Sequence, residues 1–251
     1  MPQKLGQHFL RRGSYLERIA DAACPSRVPL VIEIGAGQGA LTEYLLERAD
    51  RVIAIEIDPE LVKHLLVRFA GHPGLKVVAS DILATDLTQW GYGVVVGNLP
   101  YYITSPVVER TLAMGRYLAR AVFLIQKEVA ERITAVPSTR DYGFLSVATQ
   151  LSAETKLLFK VPPGAFSPPP KVDSAVISLT PRRREGETLP DPTPLLAFVG
   201  LCFRQKRKTL RNNLTSIFGK ETIDALPEAN MRAEQLTLDQ FRDLYRRLTG
   251  A

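Results

Sequence analysis

The chain is poor in the residues that build disulfides and metal centres. Its 251 residues include two cysteines and three histidines. The cysteines, Cys24 and Cys202, are far apart in sequence, and neither belongs to a paired metal-ligand or redox spacing. We therefore expect no metal site and predict that both cysteines occupy core or neutral positions.

The chain also lacks a long apolar run. No segment approaches the roughly 18 consecutive apolar residues that a membrane span requires. At the N-terminus, Lys4, Gln7 and His8 are not followed by the continuous apolar stretch of a secretion signal. These absences predict a cytoplasmic protein that has no membrane partner.

The composition is that of an ordinary globular protein, with 45% hydrophobic and 23% charged residues. A chain of 251 residues is long for one domain, which favours one large domain of about 180 residues and a smaller appendage. The formal net charge of +6 favours an anionic partner, although many basic proteins bind no nucleic acid.

Short β-branched runs alternate with segments of helical periodicity over much of the chain. Segment 59–69, for example, begins with a proline and repeats leucine on one face, as a crossover helix does. Such alternation predicts a doubly wound parallel sheet covered by helices, the Rossmann-like α/β fold. The predicted strands are 31–34, 52–57, 77–79, 94–96 and 122–125.

The pattern changes after about residue 144. Strands predicted at 155–161 and 175–180 flank a proline-rich stretch and could close the sheet edge antiparallel. Residues 182–194 have linker composition, so we place a boundary there, between a domain at 1–181 and one at 182–251. The second domain is predicted to be all helical, with helices at 195–203, 210–218, 223–226 and 239–248.

A glycine-rich loop joins the first predicted strand to a helix. Gly35 and Gly37 allow a tight turn and the close approach of a ligand, and the following helix offers free backbone amides. Glu56, at the end of the next strand, is suited to accept from ribose hydroxyls. The pattern predicts an adenosine-bearing cofactor, but it also satisfies the dinucleotide fingerprint, so a nicotinamide-dependent oxidoreductase stays an alternative.

Two further residues at a strand end suit an adenine ring. The carboxylate of Asp81 can accept from an adenine amine, and Ile82 can pack on the ring. An isolated acid at a strand end is more often a helix cap, so Asp81 alone carries little weight.

The tetrapeptide Asn98, Leu99, Pro100 and Tyr101 follows the fourth strand, where open parallel sheets bind ligands. The Asn98 side-chain oxygen and the Leu99 carbonyl could hold the two hydrogens of an adenine amine and turn its lone pair toward a methyl donor. Pro100 fixes the backbone, and Tyr101 offers a face on which an extruded base can stack. An ordinary turn after a buried strand is the other interpretation.

Six segments resemble the KsgA family of ribosomal RNA adenine dimethyltransferases, and together they extend over nearly the whole chain. They are residues 4–10, 33–37, 126–130, 142–147, 166–174 and 203–214. The resemblance implies S-adenosylmethionine as cofactor, with Phe166 and Tyr101 on either side of the target base. Expected cofactor contacts fall on His8, Leu10, Gly35, Gly37, Glu56, Asp81, Ile82 and Asn98. Many family members have Asn where this chain has His8.

Segment 203–214 resembles the basic helix of the family's C-terminal domain. Its cations, which we call the basic run, are Arg204, Lys206, Arg207, Lys208 and Arg211. They could form a solvated helix face, as charged runs usually do. Phosphate binding is favoured because the segment also has apolar residues that could dock the helix, and because the preceding fold resembles that of an RNA-modifying enzyme.

The resemblance further implies what the enzyme modifies. Members transfer two methyl groups to N6 of each of two adjacent adenosines near the 3′ end of 16S RNA, in an immature small ribosomal subunit. We expect a monomer. Two alternatives stay open, which are a large-subunit rRNA methyltransferase of the macrolide-resistance type and a non-catalytic RNA-binding assembly factor.

Overall fold

A computed structural model of the protein describes residues 8–182 and 193–250. Its contacts divide the chain into two compact units. The first, which we call the sheet unit, comprises Met1–Ala130 and Glu154–Pro181. The second, the helical unit, comprises Glu131–Ala153 and Arg182–Ala251. Among the described helices, none is both long and apolar enough to cross a membrane.

The strands are β1 (Phe9–Leu10), β2 (Val28–Ile34), β3 (Ala49–Glu56), β4 (Leu75–Ala79), β5 (Gly93–Asn98), β6 (Leu118–Gln126), β7 (Ala153–Val161), β8 (Phe166–Ser167) and β9 (Ser174–Pro181). Seven of them form one sheet in the order β4-β3-β2-β5-β6-β9-β7. The first five strands of this order, from β4 through β3, β2 and β5 to β6, pair in parallel, and β9 pairs antiparallel with β6. The predicted Rossmann-like sheet and its antiparallel edge are confirmed.

Helices of the sheet unit are α1 (Gly13–Ala23), α2 (Ala40–Leu46), α3 (Pro59–Arg68) and α4 (Thr104–Ala113), and α5 (Lys127–Thr134) begins in it. α3 starts where its sequence predicts, because the Asp58 side chain accepts from the Glu60 amide and Pro59 occupies the first turn. Alternate residues of the central strands pack with α1 and α2 in one core cluster, while Ile32 and Val95, which point the other way, are also fully buried.

A second, two-stranded sheet lies near the start of the described chain. β1 pairs antiparallel with β8, with Phe9 opposite Ser167 and Leu10 opposite Phe166. We call this pair the ribbon. The sequence did not predict it, because two-residue strands are too short to show alternation.

The helical unit contains α6 (Phe144–Ser152), α7 (Thr193–Cys202), α8 (Leu210–Phe218), α9 (Lys220–Asp224) and α10 (Leu238–Thr249). Their apolar faces share one core cluster, in which four side chains are fully buried, those of Leu210, Leu214, Phe241 and Leu244. The four helices predicted beyond residue 194 are all present within a few residues of their expected bounds.

One break in this division coincides with the predicted boundary at 181/182, whereas residues 131–153, which we predicted in the first domain, lie outside the sheet unit. They cluster with the helical unit. Tyr142 is fully buried there, and its hydroxyl donates to the Leu236 carbonyl over 3.0 Å. Val147 and Leu151 of α6 join the same core. The chain therefore enters the helical unit twice.

The structure also corrects the predicted basic helix. α7 ends at Cys202 and α8 begins at Leu210, and the chain between them forms turns. The Asn213 amide holds this reversal, because its Nδ2 donates to the Cys202 carbonyl (2.8 Å) and its Oδ1 accepts from the Gln205 amide (3.2 Å). A side chain from the next helix thus satisfies the end of α7.

Candidate functional site

The main cleft of the sheet unit lies at the carboxyl ends of its parallel strands. Its walls come from residues 8–9, 34–37, 55–57, 80–83 and 98–103. The cavity between them measures about 190 Å³ and opens to solvent. We call it the strand-end cleft.

The glycine turn forms one wall of the strand-end cleft. Gly35 and Gly37 have φ values of 69° and 57°, which disfavour side chains with a Cβ. A Cβ on Gly35 would come no closer than 3.8 Å to another group, the Asn98 carbonyl oxygen, so this backbone is open to a ligand. At Gly37 the ring of Phe9 lies 3.1 Å from the Cβ position. Phe9 therefore lines the cleft, a role that sequence reasoning missed.

Glu56 is fixed at the end of β3 and is only 4% exposed. Its Oε2 accepts from the Gly37 amide (2.8 Å), and its Oε1 accepts from the amides of Ile57 (2.8 Å) and Asp58 (3.0 Å). A carboxylate has about four acceptor positions, so one is left for a ligand hydroxyl while these three bonds persist. Glu56 thus both shapes the glycine turn and faces the cleft.

A second carboxyl, Glu33, lies behind the glycine turn in β2. Burial raises its pKa to about 8, the Thr42 hydroxyl that donates to it over 2.6 Å opposes that rise, and the Glu56 charge adds to it. At neutral pH the group is therefore mostly protonated, and the neutral acid avoids the cost of burying a second charge beside Glu56.

The predicted adenine-contacting residues lie on the opposite side of the cleft. Asp81 is exposed, and its Oδ1 accepts from the Leu83 amide over 2.8 Å, which fixes the carboxylate and leaves Oδ2 available. Ile82 is buried at 6% exposure and lines the cleft. A polar acceptor and an apolar surface are thus next to each other, as a purine ring requires.

Asn98 ends β5 and faces the cleft with a defined orientation. Its Nδ2 donates to the backbone carbonyl of His8 over 3.0 Å, so Oδ1 is the side chain's free acceptor. The next residue, Leu99, is held by its amide, which donates to the Leu124 carbonyl (3.0 Å), and by its buried side chain. The Asn98 side chain and the Leu99 backbone are therefore both held in place at the wall of the cleft.

Tyr101 is half-buried in the same wall. Its hydroxyl shares a 2.9 Å hydrogen bond with Ser174, and burial raises the pKa of the phenol. The His8 ring lies 6.0 Å from the Tyr101 ring, centroid to centroid, and His8 Nδ1 is 2.9 Å from the Pro168 carbonyl oxygen. Ser174 ends the motif that resembles the family's late proline-rich segment, so its place in the sequence was a signal, but its contact was not predicted.

Two predicted site residues do not line the strand-end cleft. Phe166 is 6% exposed and Leu10 is 4% exposed, and both side chains belong to the core cluster beneath the ribbon. The pleat explains Leu10, because Phe9 points to the cleft and its neighbour must point the other way. A contact from Leu10 to a ligand would have to come from its backbone. Residues 4–7 of the opening segment lie outside the described residues.

Comparison with known proteins decides the family. A family model described as ribosomal RNA adenine dimethylase matches residues 2–249. The chain belongs to this family. The ribosomal RNA small subunit methyltransferase A of Acidobacterium capsulatum is 43% identical, over 98% of this chain and 90% of that protein. Its counterpart in Saccharophagus degradans is 37% identical, over 96% and 92%.

Two solved structures support the assignment of this rRNA adenine dimethylase. A dimethyladenosine transferase from Plasmodium falciparum superposes with a TM-score of 0.84 at 26% identity, covering 94% of this chain and 96% of that one. The 23S rRNA methyltransferase ErmE gives 0.77 at 31% identity, covering 96% and 99%. The enzyme is therefore an S-adenosylmethionine-dependent rRNA dimethyltransferase, and the nicotinamide alternative is wrong.

The strand-end cleft of this dimethylase fits that cofactor. The open glycine backbone, the buried Glu56 carboxylate and the Asp81–Ile82 pair match a small amino-acid chain, a ribose and an adenine. In the described residues there is no group of three or more His, Cys, Asp or Glu side chains placed to hold a metal ion.

The basic run of the dimethylase lies in the helical unit, and its side chains differ in exposure and in pairing. Arg204, Lys206, Arg207 and Lys208 are exposed. Lys206 Nζ donates to a backbone carbonyl, that of Arg140, over 2.9 Å. Arg211 instead pairs with Asp224 at 3.0 Å. Four of the five predicted RNA contacts thus present their charge to solvent, and the fifth is partly neutralised.

Proposed function

We propose that the enzyme dimethylates N6 of two adjacent adenosines near the 3′ end of 16S RNA, acting as a monomer on an immature small ribosomal subunit. The observation that carries the chemistry is the Asn98 amide, oriented by the His8 carbonyl beside the glycine turn. Support for the small subunit comes from relatives 37% and 43% identical that are named small subunit methyltransferases. A cytoplasmic location stays a prediction.

Asn98 and Leu99 activate the amine by accepting its hydrogens. The lone pair of an adenine amine is delocalised into the ring, which makes the nitrogen a poor nucleophile. Oδ1 of Asn98 and the carbonyl oxygen of Leu99 each accept a hydrogen bond from one N–H of the amine. These bonds favour a pyramidal nitrogen and stabilise the positive charge that develops on it. No side chain needs to act as a strong base, because the methylated amine loses its extra proton to solvent.

The cofactor, when bound, supplies an electrophilic methyl group on a sulfonium. Gly35 and Gly37 would let it approach the backbone, Glu56 would accept from its ribose, and Asp81 and Ile82 would hold its adenine. His8, and Leu10 through its backbone, close the site from the ribbon side. Alignment of the amine with the methyl group then supplies most of the acceleration.

A second transfer to the same nitrogen places a limit on these contacts. The singly methylated amine keeps one hydrogen, so only one of the two acceptors, Asn98 Oδ1 or the Leu99 carbonyl, can be used. The other then faces a methyl group, and the cleft must leave room for it. We therefore expect the second transfer to depend less on the Asn98 amide than the first.

The target base is held by stacking. Tyr101 presents its ring at the cleft, and the hydroxyl bond to Ser174 anchors the far end of that side chain. Phe166 as the opposite face stays a prediction. Because its side chain is buried beneath the ribbon, a base can contact it only if the ribbon shifts.

RNA is anchored by the exposed part of the basic run. Arg204, Lys206, Arg207 and Lys208 offer charge to phosphates, which positions RNA without reading its sequence. Arg211 contributes less, because Asp224 already holds it.

The test is methyl transfer to purified ribosomal subunits that lack the modification. With tritium in the cofactor's methyl group, label should enter small-subunit RNA as N6,N6-dimethyladenosine, and Asn98→Ala should abolish it while RNA binding persists. ErmE, at 31% identity, makes the large subunit the second candidate. Label in large subunits alone would overturn the small-subunit proposal, and unchanged labelling by Asn98→Ala would remove Asn98 from the mechanism.

A further inference from the structure

The helical unit has a cavity of its own, separate from the methyl-transfer chemistry. It measures about 220 Å³ and is open to solvent. Among the residues that line it are Arg132, Asp141, Phe144, Ser146, Phe203 and Lys206. None of the functions assigned above uses it, although one lining residue, Lys206, belongs to the basic run.

The cations of the cavity are not neutralised. Arg132 is exposed, and in the described part of the chain no carboxylate forms an ion pair with it. Lys206 Nζ is held by a neutral partner, the Arg140 carbonyl, at 2.9 Å. Asp141 also lines the cavity but pairs with neither cation within the described residues. The opening therefore carries two cations against one carboxylate, and this excess of positive charge favours an anion such as a phosphate.

The cavity also has aromatic walls. Phe144, the first residue of α6, is 43% exposed, so its ring is accessible from solvent. Phe203 forms a fixed wall, because its ring contacts those of Tyr142 and Phe241 at centroid distances of 6.5 and 5.8 Å. An exposed ring beside a cation pair matches the two parts of a nucleotide, a base that stacks and a phosphate that carries charge.

The groups are held in place before any ligand binds. The Ser146 hydroxyl donates to the Arg132 carbonyl and accepts from the Gly143 amide over 3.0 Å. Ser146 is fully buried. This side chain therefore ties the end of α5 to the start of α6, so that the backbones that carry Arg132 and Phe144 are fixed relative to each other. Such preorganisation lowers the entropic cost of binding.

We infer that this cavity binds one unpaired nucleotide of the RNA substrate. Its phosphate lies on Arg132 and Lys206, and its base stacks on Phe144. The RNA strand reaches the cavity along the basic run, whose Lys206 forms part of the cavity wall. The inference rests on the proposed function only in taking RNA as substrate, and it adds a base-holding site that is independent of the target adenine.

The experiment compares two labelled probes on the full-length protein, by equilibrium fluorescence anisotropy. The first is a short oligouridine, which carries no adenine to methylate, and the second is the same chain with every base removed. We expect Phe144→Ala to weaken oligouridine binding about 5- to 100-fold, the effect of losing one stacked base, and to leave the abasic probe unaffected. Phe144→Trp should retain binding, because it keeps a stacking face.

Arg132→Ala should weaken both probes and lower the slope of log affinity against log salt by about 0.7, the value for one phosphate contact on a single strand. Matched controls in the same unit are Ile217→Ala, which trims a 45% exposed apolar residue, and Arg246→Ala, which removes one exposed charge. Neither lines the cavity. Retained S-adenosylhomocysteine binding and thermal unfolding verify that each variant is folded.

Three outcomes would overturn the inference. The first is equal affinity of the unaltered protein for both probes, and the second is an oligouridine affinity of Phe144→Ala as high as before. The third is a loss of affinity in Arg132→Ala without one in Phe144→Ala, which would leave only an anion site. The subunit methylation assay is independent of these measurements. Failure of the small-subunit proposal would leave the oligouridine result standing, and the reverse also holds.

Discussion

The strand-end cleft and the basic run differ in how firmly their functional groups are held. In the cleft, Glu56 is 4% exposed and accepts hydrogen bonds from three backbone amides, and the Asn98 side-chain amide donates to the His8 carbonyl, next to the ribbon. In the basic run, Arg204, Arg207 and Lys208 are exposed. Methyl transfer needs atoms aligned within a fraction of an ångström, whereas phosphate attraction acts over several. Substitutions should therefore cost much more in the cleft.

The largest expected effect is that of Asn98→Asp. The change keeps the size of the side chain but replaces the donor that meets the His8 carbonyl with a second oxygen, so the group must rotate away. We expect single-turnover methyl transfer to fall about 10²- to 10³-fold, the range for losing one oriented hydrogen-bonding group at a reaction centre.

The matched control is Gln89→Glu, an amide-to-acid change at an exposed position of the same unit. It should leave the rate within a factor of two or so, as a surface change does. A loss of less than tenfold in Asn98→Asp would show that the amide nitrogen does not set the geometry.

Gly97→Ala should destabilise the sheet beneath the cleft. A Cβ there would lie 2.7 Å from the Ile34 carbonyl oxygen, inside β2, where the backbone cannot move aside. Overpacking of this kind costs about 1–3 kcal/mol, measurable by urea unfolding. Gly164→Ala, where nothing lies within 4 Å of the added Cβ, is the control and should be close to neutral. Equal stability of the two variants would contradict the crowding.

Glu33→Gln tests the buried carboxyl behind the glycine turn. The folded protein holds the pKa of Glu33 near 8, against an ordinary value of 4.5, so between these pH values the unfolded chain has released a proton that the folded chain keeps. The free energy of unfolding should therefore fall as pH rises through this window, by at most about 1.4 kcal/mol per pH unit.

The glutamine variant should flatten that dependence, because an amide does not titrate and can still accept from the Thr42 hydroxyl. Glu109→Gln, at an exposed position, is the control. If urea unfolding from pH 5 to pH 8 gave the same slope for Glu33→Gln as for the unaltered protein, Glu33 would not be the residue that titrates.

The smallest effects belong to the basic run, where Arg207 and Arg211 differ. Arg207→Ala should weaken RNA binding a few-fold and lower the salt slope by about 0.7–0.9 for one lost phosphate contact. Arg211→Ala should change the slope less, because the pair with Asp224 already compensates its charge. Filter binding across a salt series measures both, and equal slopes would show that the ion pair opens when RNA binds.

The sequence predicted the parallel strands and the side chains that follow them well. Strands β2, β3, β5 and β6 are buried runs rich in β-branched residues, and β4 is a partly exposed one. Because parallel strands end at one edge, the residues that follow them come together, namely Gly35, Glu56, Asp81 and Asn98. All four line the strand-end cleft. This part of the site is encoded by local pattern and strand direction.

The remaining features depend on contacts between distant residues. The ribbon pairs positions 9–10 with 166–167, and no local pattern specifies that pairing. α1 is different, because its buried residues Leu16, Ile19, Ala20 and Ala23 have helical spacing that could have predicted it. The basic helix, expected from the family resemblance, was wrong over residues 203–209, where the Asn213 side chain from the next helix bonds to the Cys202 carbonyl at the end of α7.

The bond between His8 and Asn98 separates two properties of position 8. The group that orients the amide is a backbone carbonyl, which every amino acid possesses, so no substitution at position 8 removes it. The imidazole meets Pro168 and Tyr101 and takes no part in this bond. The chain can therefore exchange this side chain in the course of evolution, as between His and Asn, without disturbing the catalytic amide.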